Sequence, residues 1–492
     1  MKFPAQTQQT KIVATYGPSL KAPEVLRAVL KLGVDIIRYN FSHGKPDEFT
    51  RLVRTLRRLE HELERPIGIL ADLQGPKIRT GELADHQPVT ITTGQDFFLT
   101  RQPIAGTARG MSISYAFTPD EFQPGARILM DDGKIVLRVV RIADGILHCT
   151  VEKGGGLRER QGVNFPGTAT RLPAMTDKDR SDAAAALAAG VDFLALSFVR
   201  QAADLHRLRR LIDAAGTGTA IVAKIEKPQA LENLDGILAA TDAIMVARGD
   251  LGVEVDIERI GVLQKQIIGR CRQAQIPVIV ATQMLESMTE QPRPTRAEAT
   301  DVTNAILDGT DAVMLSGETA LGRYPMETVR TMATIAAETE RYLRQMPNLL
   351  AGLDPLAPGD DPLTAIARAA YHASRDVHAA AITVHTLSGR TARVLSRFRP
   401  DCPIVAMTPD PATWRRMSLY YGVHPVRIRT SRTSDHLMEQ AESWAKHNFQ
   451  LEQPAHFVIL SGQARSVGAT NTLRIATIRP PHRGRPVAPG RR

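Results

Sequence analysis

Eight short runs of β-branched and apolar residues punctuate the first two thirds of the chain. They are "TKIVATYG" (10–17), "DIIRYNF" (35–41), "IGILADL" (67–73), "DFLALSFV" (192–199), "AIVAKIE" (220–226), "AIMVARG" (243–249), "PVIVATQ" (277–283) and "AVMLSGE" (312–318). Helical patterns or long connections separate them. Near-continuous apolar strands alternating with helices imply a parallel sheet covered on both faces. Eight of them predict a closed (β/α)8 TIM barrel, with an open doubly wound sheet as the structural alternative. The longest apolar stretch, "AAAALAAGVDFLALSFV" (183–199), is interrupted by Gly190 and Asp192. It falls short of the ~20 residues that a membrane helix needs and reads as a helix end feeding a buried strand.

The third and fourth runs stand almost 120 residues apart, well beyond a normal crossover. Between about 80 and 168 the pattern turns to alternating segments broken by turns: "QPVTITTGQDFFLT", "GARILMDDGKIVLRVV" and "GILHCTVEKGG". This predicts a small all-β domain inserted at the barrel mouth, placed to act as a lid that expels water. After residue 345, "PNLLAGLDPLAPGDDP" reads as a linker. Strand and helix patterns then resume in "AAITVHT", "SGRTARVLSRF", "PIVAMTP" and "HFVILSG". The expected division is a catalytic barrel over 1–79 and 169–345, a lid over 80–168, a C-terminal α/β domain over 346–478 and a basic, disordered tail over 479–492.

Charge changes this picture only at the C-terminus. The chain has 492 residues and a net charge of +10, and its last sixteen residues, "TIRPPHRGRPVAPGRR", hold five arginines and no acid. Half the excess therefore lies in a segment unable to bury a core, so the body's modest basicity suits small anionic substrates as well as nucleic acid, and no nucleic-acid partner is expected. The three cysteines, Cys149, Cys271 and Cys402, lie too far apart in sequence to suggest a disulfide framework or a clustered metal site. A reducing cytoplasm fits them, and no secretory signal or membrane partner is expected.

Polar residues concentrate at the C-terminal ends of the eight runs: Arg38 and Asn40, Asp72, Lys224 and Glu226, Arg248 with Asp250, Thr282, and Ser316 with Glu318. Strand ends of a barrel converge on one mouth, so these groups are expected to face one another. Any one of them alone is more often a turn or helix cap. Lys224 and Glu226 flank Ile225 and project to the same side of their strand. An ammonium suits a transferring phosphoryl group or an enolate oxygen, and Glu226 with Asp250 offers hard oxygen ligands for Mg²⁺. Gly249 allows close backbone approach to an anion, Arg38 can grip phosphate with its two-pronged guanidinium, and Thr282 adds a hydroxyl. These are the parts of phosphoryl transfer, although no Walker-type loop or protein-kinase glycine loop is present. A Mg²⁺-dependent aldolase or lyase remains a rival, as does a catalytically silent metabolite-binding or nucleic-acid-binding protein. In the C-terminal domain, "HTLSGRTA" (385–392) offers hydroxyls and backbone N–H groups to an anion, or simply caps a helix.

The ordered motifs "TKIVATYGPS", "RYNFSHG", "DLQGPKIRTG", "GVNFPG", "KIEKP", "MVARGDLGVE", "ATQMLESM", "PTRAEATDV" and "LDGTDAVMLSGETA" resemble the pyruvate kinase family, and the resemblance spans nearly the whole chain. It implies transfer of phosphate from phosphoenolpyruvate to ADP, in a cytoplasmic homotetramer activated by a phosphorylated effector. It implies that Lys224 stabilises charge on the transferring group, and that Glu226 and Asp250 hold Mg²⁺, for which Mn²⁺ can substitute. Arg38, Lys224, Gly249, Asp250 and Thr282 would bind substrate; Arg79, Asn40 and Arg160 would meet the nucleotide. Thr282 and Ser316 would join the proton relay. The effector phosphate would sit on Thr386, Ser388, Gly389, Arg390 and Thr391.

Three departures from the family pattern stand out. Asn40, Ser42 and Asp72 of a monovalent-cation pocket are present, but Leu73 and Lys77 replace a threonine and a glutamate of potassium-dependent members. The Lys77 ammonium is expected to occupy or neutralise that pocket, which makes K⁺ dispensable. Gln161 stands where many relatives carry a basic residue. Leu387 replaces a lysine frequent in fructose-bisphosphate-activated relatives, which favours a sugar monophosphate or AMP as effector.

Overall fold

The structure, a computed structural model, describes residues 8–168, 170–346, 361–430, 433–449, 451–462 and 470–480. Most of the expected linker and all but two residues of the expected basic tail lie outside them. Among the described residues, eight parallel strands form one closed barrel: Lys11–Thr15, Val34–Asn40, Gly68–Asp72, Phe193–Leu196, Ala220–Ile225, Ala243–Ala247, Val278–Ala281 and Ala312–Leu315. The open-sheet alternative is excluded by this closure. Seven of the eight are buried at every position, as their near-continuous apolar character requires.

Several predicted runs extend past the strands at their C-terminal ends. The reason is local: Arg248–Glu254 and Gly317–Ala320 have already turned helical. Thr282 and Gln283 adopt left-handed backbone at φ 69° and 52°. The polar residues that carry chemistry thus sit on the turns, with the strands aiming them.

The chain divides into two compact units. One comprises Arg38–Arg51 and Leu70–Gln283. It holds the inserted β domain, where a six-stranded sheet has the order Val163–Asn164, Arg127–Met130, Ile135–Ala143, Ile146–Lys153, Asp96–Thr100, Gly110–Ser112. Alternation along these strands turns Phe97, Leu99, Leu137, Val139, Leu147 and Val151 into a core shared with Phe117, Phe122 and Phe165.

The second unit comprises Met1–Ile37, Leu52–Ile69 and Met284–Arg492. Its C-terminal part carries a five-stranded sheet in the order Val423–Arg427, Ile404–Thr408, Ala381–His385, Ala455–Gly462, Thr470–Ile478, of which the last strand runs antiparallel. Ile382, Val384 and Ala406 face one apolar cluster, and Ala381, Val405 and Met407 face another, so the sheet is covered on both sides. The strand Val423–Arg427 was not anticipated, because Pro425 and His424 interrupt its apolar pattern. Within this unit Arg399 reaches Asp311 at 3.0 Å and Lys11 Nζ donates to the Val423 carbonyl at 2.8 Å, fixing the sheet to the barrel segments.

Candidate active site

The fifth barrel strand, Ala220–Ile225, delivers Lys224 and, one residue beyond its end, Glu226. Their side chains share one side as the alternation requires, with Lys224 Nζ 2.8 Å from Glu226 Oε1. The third strand brings Asp72, whose Oδ1 lies 3.3 Å from the same ammonium. Arg38, from the second strand, places Nε at 2.8 Å and Nη2 at 2.6 Å from Asp72 Oδ2. Two cations and two carboxylates therefore form one buried network.

Burial alone would strip these groups of charge. For Lys224, burial pulls the pKa down, but Asp72, Glu226 and Asp250 outweigh it and hold the ammonium above its ordinary value. For Asp72, burial pushes the carboxyl up, while Lys224 and Arg38 win and hold it below the usual range. Glu226 is raised: burial is the larger effect, Lys224 opposes it, and the nearby Asp250 charge adds to it. A buried carboxylate raised in part by a second carboxylate's charge is a natural seat for a divalent cation, which would relieve it.

Arg248 opens a short helix with Gly249 and Asp250 on its first turn. The Gly249 N–H donates to Thr282 Oγ1 at 2.7 Å, and Thr282 Oγ1 donates to the Ala281 carbonyl at 2.6 Å. A β-branched residue at φ 69° is strained. Arg248 Nη2 secures it by donating to the Thr282 carbonyl at 2.7 Å and the Gln283 carbonyl at 3.2 Å.

A cavity of about 240 Å³ opens at Asp250, while Lys224, Glu226, Arg38, Gly249 and Thr282 do not line it. Asp250, Lys77, Arg79 and Phe198 line it, with Lys227 and Arg200 from the barrel side and Asp132 and Asn164 from the β domain. Asn164 Nδ2 donates to Glu254 Oε1 at 3.1 Å, and Lys227 Nζ reaches the same oxygen at 2.5 Å, so the β domain meets the barrel at this wall. Lys227, Arg200, Asn164 and Glu254 were not singled out from sequence, although "KIEKP", "GVNFPG" and "MVARGDLGVE" contain three of them.

The Arg38 fork, expected on phosphate, here closes on Asp72. Asp72 is neutralised by Arg38 and Lys224; Lys77 is exposed on the cavity wall and, among the described residues, has no ion-pair partner. Asn40 Oδ1 accepts from the Ser42 N–H at 3.0 Å, and buried Leu73 donates its N–H to Ala195 O at 3.0 Å. Neither Asn40 nor Arg160 lines the cavity. Arg160 is exposed beside Glu82 at 3.5 Å, and its carbonyl accepts from Arg79 Nη1 at 2.8 Å. Gln161 turns its side chain to the Arg158 N–H and the Gly156 carbonyl and does not line the cavity. Ser316 belongs to the other unit, where its N–H donates to Glu318 Oε2 at 2.6 Å.

In the C-terminal domain the loop expected to hold an anion partly satisfies itself. Thr386 Oγ1 accepts the Gly389 N–H at 2.9 Å, Ser388 Oγ accepts that of Arg390 at 3.4 Å, Thr391 pairs with Thr470 at 2.8 Å, and Arg390 reaches Asp361 at 3.3 Å.

Comparison with known proteins decides the family. A profile described as "Pyruvate kinase, barrel domain" matches residues 7–329, and one described as "Pyruvate kinase, alpha/beta domain" matches 364–476. The chain belongs to the pyruvate kinase family. Pyruvate kinase 2 of Synechocystis is 42% identical over 96% of this chain and 80% of its own length. A pyruvate kinase of Agrobacterium vitis is 42% identical over 97% of this chain and 98% of its own. The crystal structure of a pyruvate kinase from Cryptosporidium parvum superposes with a TM-score of 0.89 at 35% identity, covering 96% of each chain. Similarity along the whole length makes this chain a phosphotransferase of that family, and members of the family generally use Mg²⁺. Among the described residues no helix is long and apolar enough to cross a membrane.

Proposed function

We propose that the chain transfers the phosphoryl group of phosphoenolpyruvate to ADP, with Lys224 as the charge-stabilising residue. The observation that carries this is the Lys224 ammonium, kept charged by Asp72 and Glu226 beside a cavity edged by Asp250 and Arg79. Phosphoryl transfer needs position and charge neutralisation more than covalent help. Glu226 and Asp250 would hold Mg²⁺, which supplies further neutralisation of phosphate oxygens. Lys224 faces the transferring group and the enolate oxygen, Gly249 N–H and Thr282 Oγ1 exchange their mutual bond for the substrate carboxylate, and Arg79 meets the nucleotide phosphates. Arg38 acts on phosphate by releasing part of its grip on Asp72. The barrel over 1–79 and 169–345 works with the lid over 80–168, and the domain over 346–478 regulates. ADP- and Mg²⁺-dependent pyruvate formation tests the reading; its absence in the wild-type protein would reject it.

The reading extends to K⁺ independence. Lys77 sits on the cavity wall beside Arg79, and the local positive field is strong enough that, after burial, Lys77, Arg79 and Arg38 lower the pKa of His43. Lys77 thus supplies a fixed charge near the substrates without touching Asp72. Rates in tetramethylammonium and in KCl should agree; strong stimulation by K⁺ would reject this part. A phosphorylated effector, a sugar monophosphate or AMP, binds at Thr386–Thr391, where Gly389 and Arg390 N–H groups turn from Thr386 and Ser388 to phosphate. Velocity curves at subsaturating phosphoenolpyruvate decide between effectors. A cytoplasmic homotetramer completes the reading, with mass measurement in solution as its check.

A further inference from the structure

We infer that Ser197 and Phe198, which close the fourth barrel strand, are positioning residues for Lys224 and Glu226. The inference rests on the role given to Lys224 above. Ser197 is 3% exposed. Its Oγ donates to the Leu73 carbonyl at 2.8 Å and accepts from Lys224 Nζ at 2.8 Å. An ammonium has three N–H donors. Here they face Ser197, Glu226 and Asp72. Ser197 is the neutral partner and is itself anchored to main chain. It fixes the end of a flexible four-carbon stem without taking charge from it.

The next residue addresses the neighbouring carboxylate. Phe198 lies at φ 55°, a conformation unfavourable for an aromatic side chain. That turn aims its N–H at Glu226 Oε2, 2.8 Å away. Glu226 is thereby divided, with Oε1 toward Lys224 and Oε2 held by backbone. Strain of this kind persists only where surroundings impose it. Gly75 is one such constraint: a Cβ there would lie 2.7 Å from Phe198 Cδ2 and 3.0 Å from Ser197 Cβ. The Gly75 N–H is in turn tied to Asp179 Oδ1 at 3.0 Å. One two-residue turn therefore sets the direction of both the charge-stabilising lysine and a proposed metal carboxylate. When an oxygen of substrate takes the Lys224 donor that now faces Glu226, Ser197 and Asp72 still hold the ammonium in place.

The test compares Ser197→Ala and Ser197→Thr in the full-length protein by steady-state pyruvate formation. Ser197→Ala should lower kcat by roughly tenfold to a hundredfold, the effect of a small misplacement of a reacting group, with both KM values within about twofold. Ser197→Thr, which keeps the hydroxyl, should recover most of the loss. In a Lys224→Met background Ser197→Ala should have no further effect on the residual rate, because there is no ammonium left to position. Should the alanine variant not fold, Ser197→Cys, which keeps the volume and offers a weak acceptor, gives the same comparison. Wild-type kcat in Ser197→Ala, or an equal loss in both backgrounds, would overturn the inference. A wild-type protein that forms no pyruvate would instead overturn the proposed function.

Discussion

Arg415 grips Glu60 with hydrogen bonds of 2.8, 2.9 and 3.0 Å, although 355 residues separate them in sequence. Glu60 is almost fully buried and also accepts from Arg57 Nη1 at 3.1 Å and the Ile67 N–H at 3.2 Å. The pair ties the C-terminal-domain helix Pro411–Arg416 to the barrel segments of the same unit. Arg415→Ala should lower unfolding stability by about 1–3 kcal/mol, since a buried carboxylate loses its bidentate partner but keeps two donors. Arg415→Lys should recover part of this, because an ammonium cannot reproduce the fork. Urea unfolding of the three proteins is the check.

Lys224→Met removes the single ammonium shared by Asp72 and Glu226. Turnover should fall by roughly 10²- to 10³-fold or more, the usual consequence of deleting a charge-stabilising donor. The carboxylates left behind repel each other, so the variant should also unfold more readily at neutral pH than at about pH 5, where protonation relieves them. Kinetics and thermal midpoints across pH test the two effects separately.

Acid should weaken the protein through two buried histidines before the carboxylates titrate. Burial pushes His385 down from 6.5 to about 4. Burial, with Lys11 and Arg65 adding to it, pushes His424 down to about 3. Between those values and 6.5 the unfolded chain binds protons that the native chain refuses, so this stability is fully present above pH 6.5 and is lost as pH falls through the folded values. Each histidine contributes a slope of up to about 1.4 kcal/mol per pH unit. At His385 the Leu460 main chain offsets burial only in part. His385→Leu should therefore raise stability near pH 5 and flatten the dependence. A steeper fall of the thermal midpoint in the variant would contradict this account.

Gly75→Ala tests the packing beneath the Ser197–Phe198 turn. At φ 69° an alanine is strained, and its methyl would collide with Phe198. A loss of about 1–3 kcal/mol is expected from the overpacking, together with a fall in kcat that exceeds any change in KM. Unchanged kinetics with full folding would separate Gly75 from the site.

Much of this protein was legible because its signals are local. Eight apolar runs with polar ends predict a barrel with its chemistry at one mouth, and the alternation in Lys224–Ile225–Glu226 by itself places two side chains on one side. Less legible were hydrogen bonds whose partners lie far apart in sequence. Nothing near Arg38 indicates that it closes on Asp72, and nothing in "LSFVR" indicates that Ser197 would meet Lys224, twenty-seven residues on. Backbone sign was equally hidden: Thr282 and Phe198 are β-branched and aromatic, residue types that argue against left-handed turns.

The sequence by itself determined the barrel strands, the inserted β segment, the residue types at the mouth and the family, since these depend on periodicity and motif order. Only the tertiary structure decided which cation neutralises Asp72. Lys77 and Asp72 are five residues apart, but the Gly-Pro turn carries Lys77 to the cavity wall, while barrel closure brings Arg38 to the carboxylate from the adjacent strand and Lys224 from the next strand but one on the other side. Charge pairing in a buried site is set by which strand ends converge, and that is a property of the closed barrel.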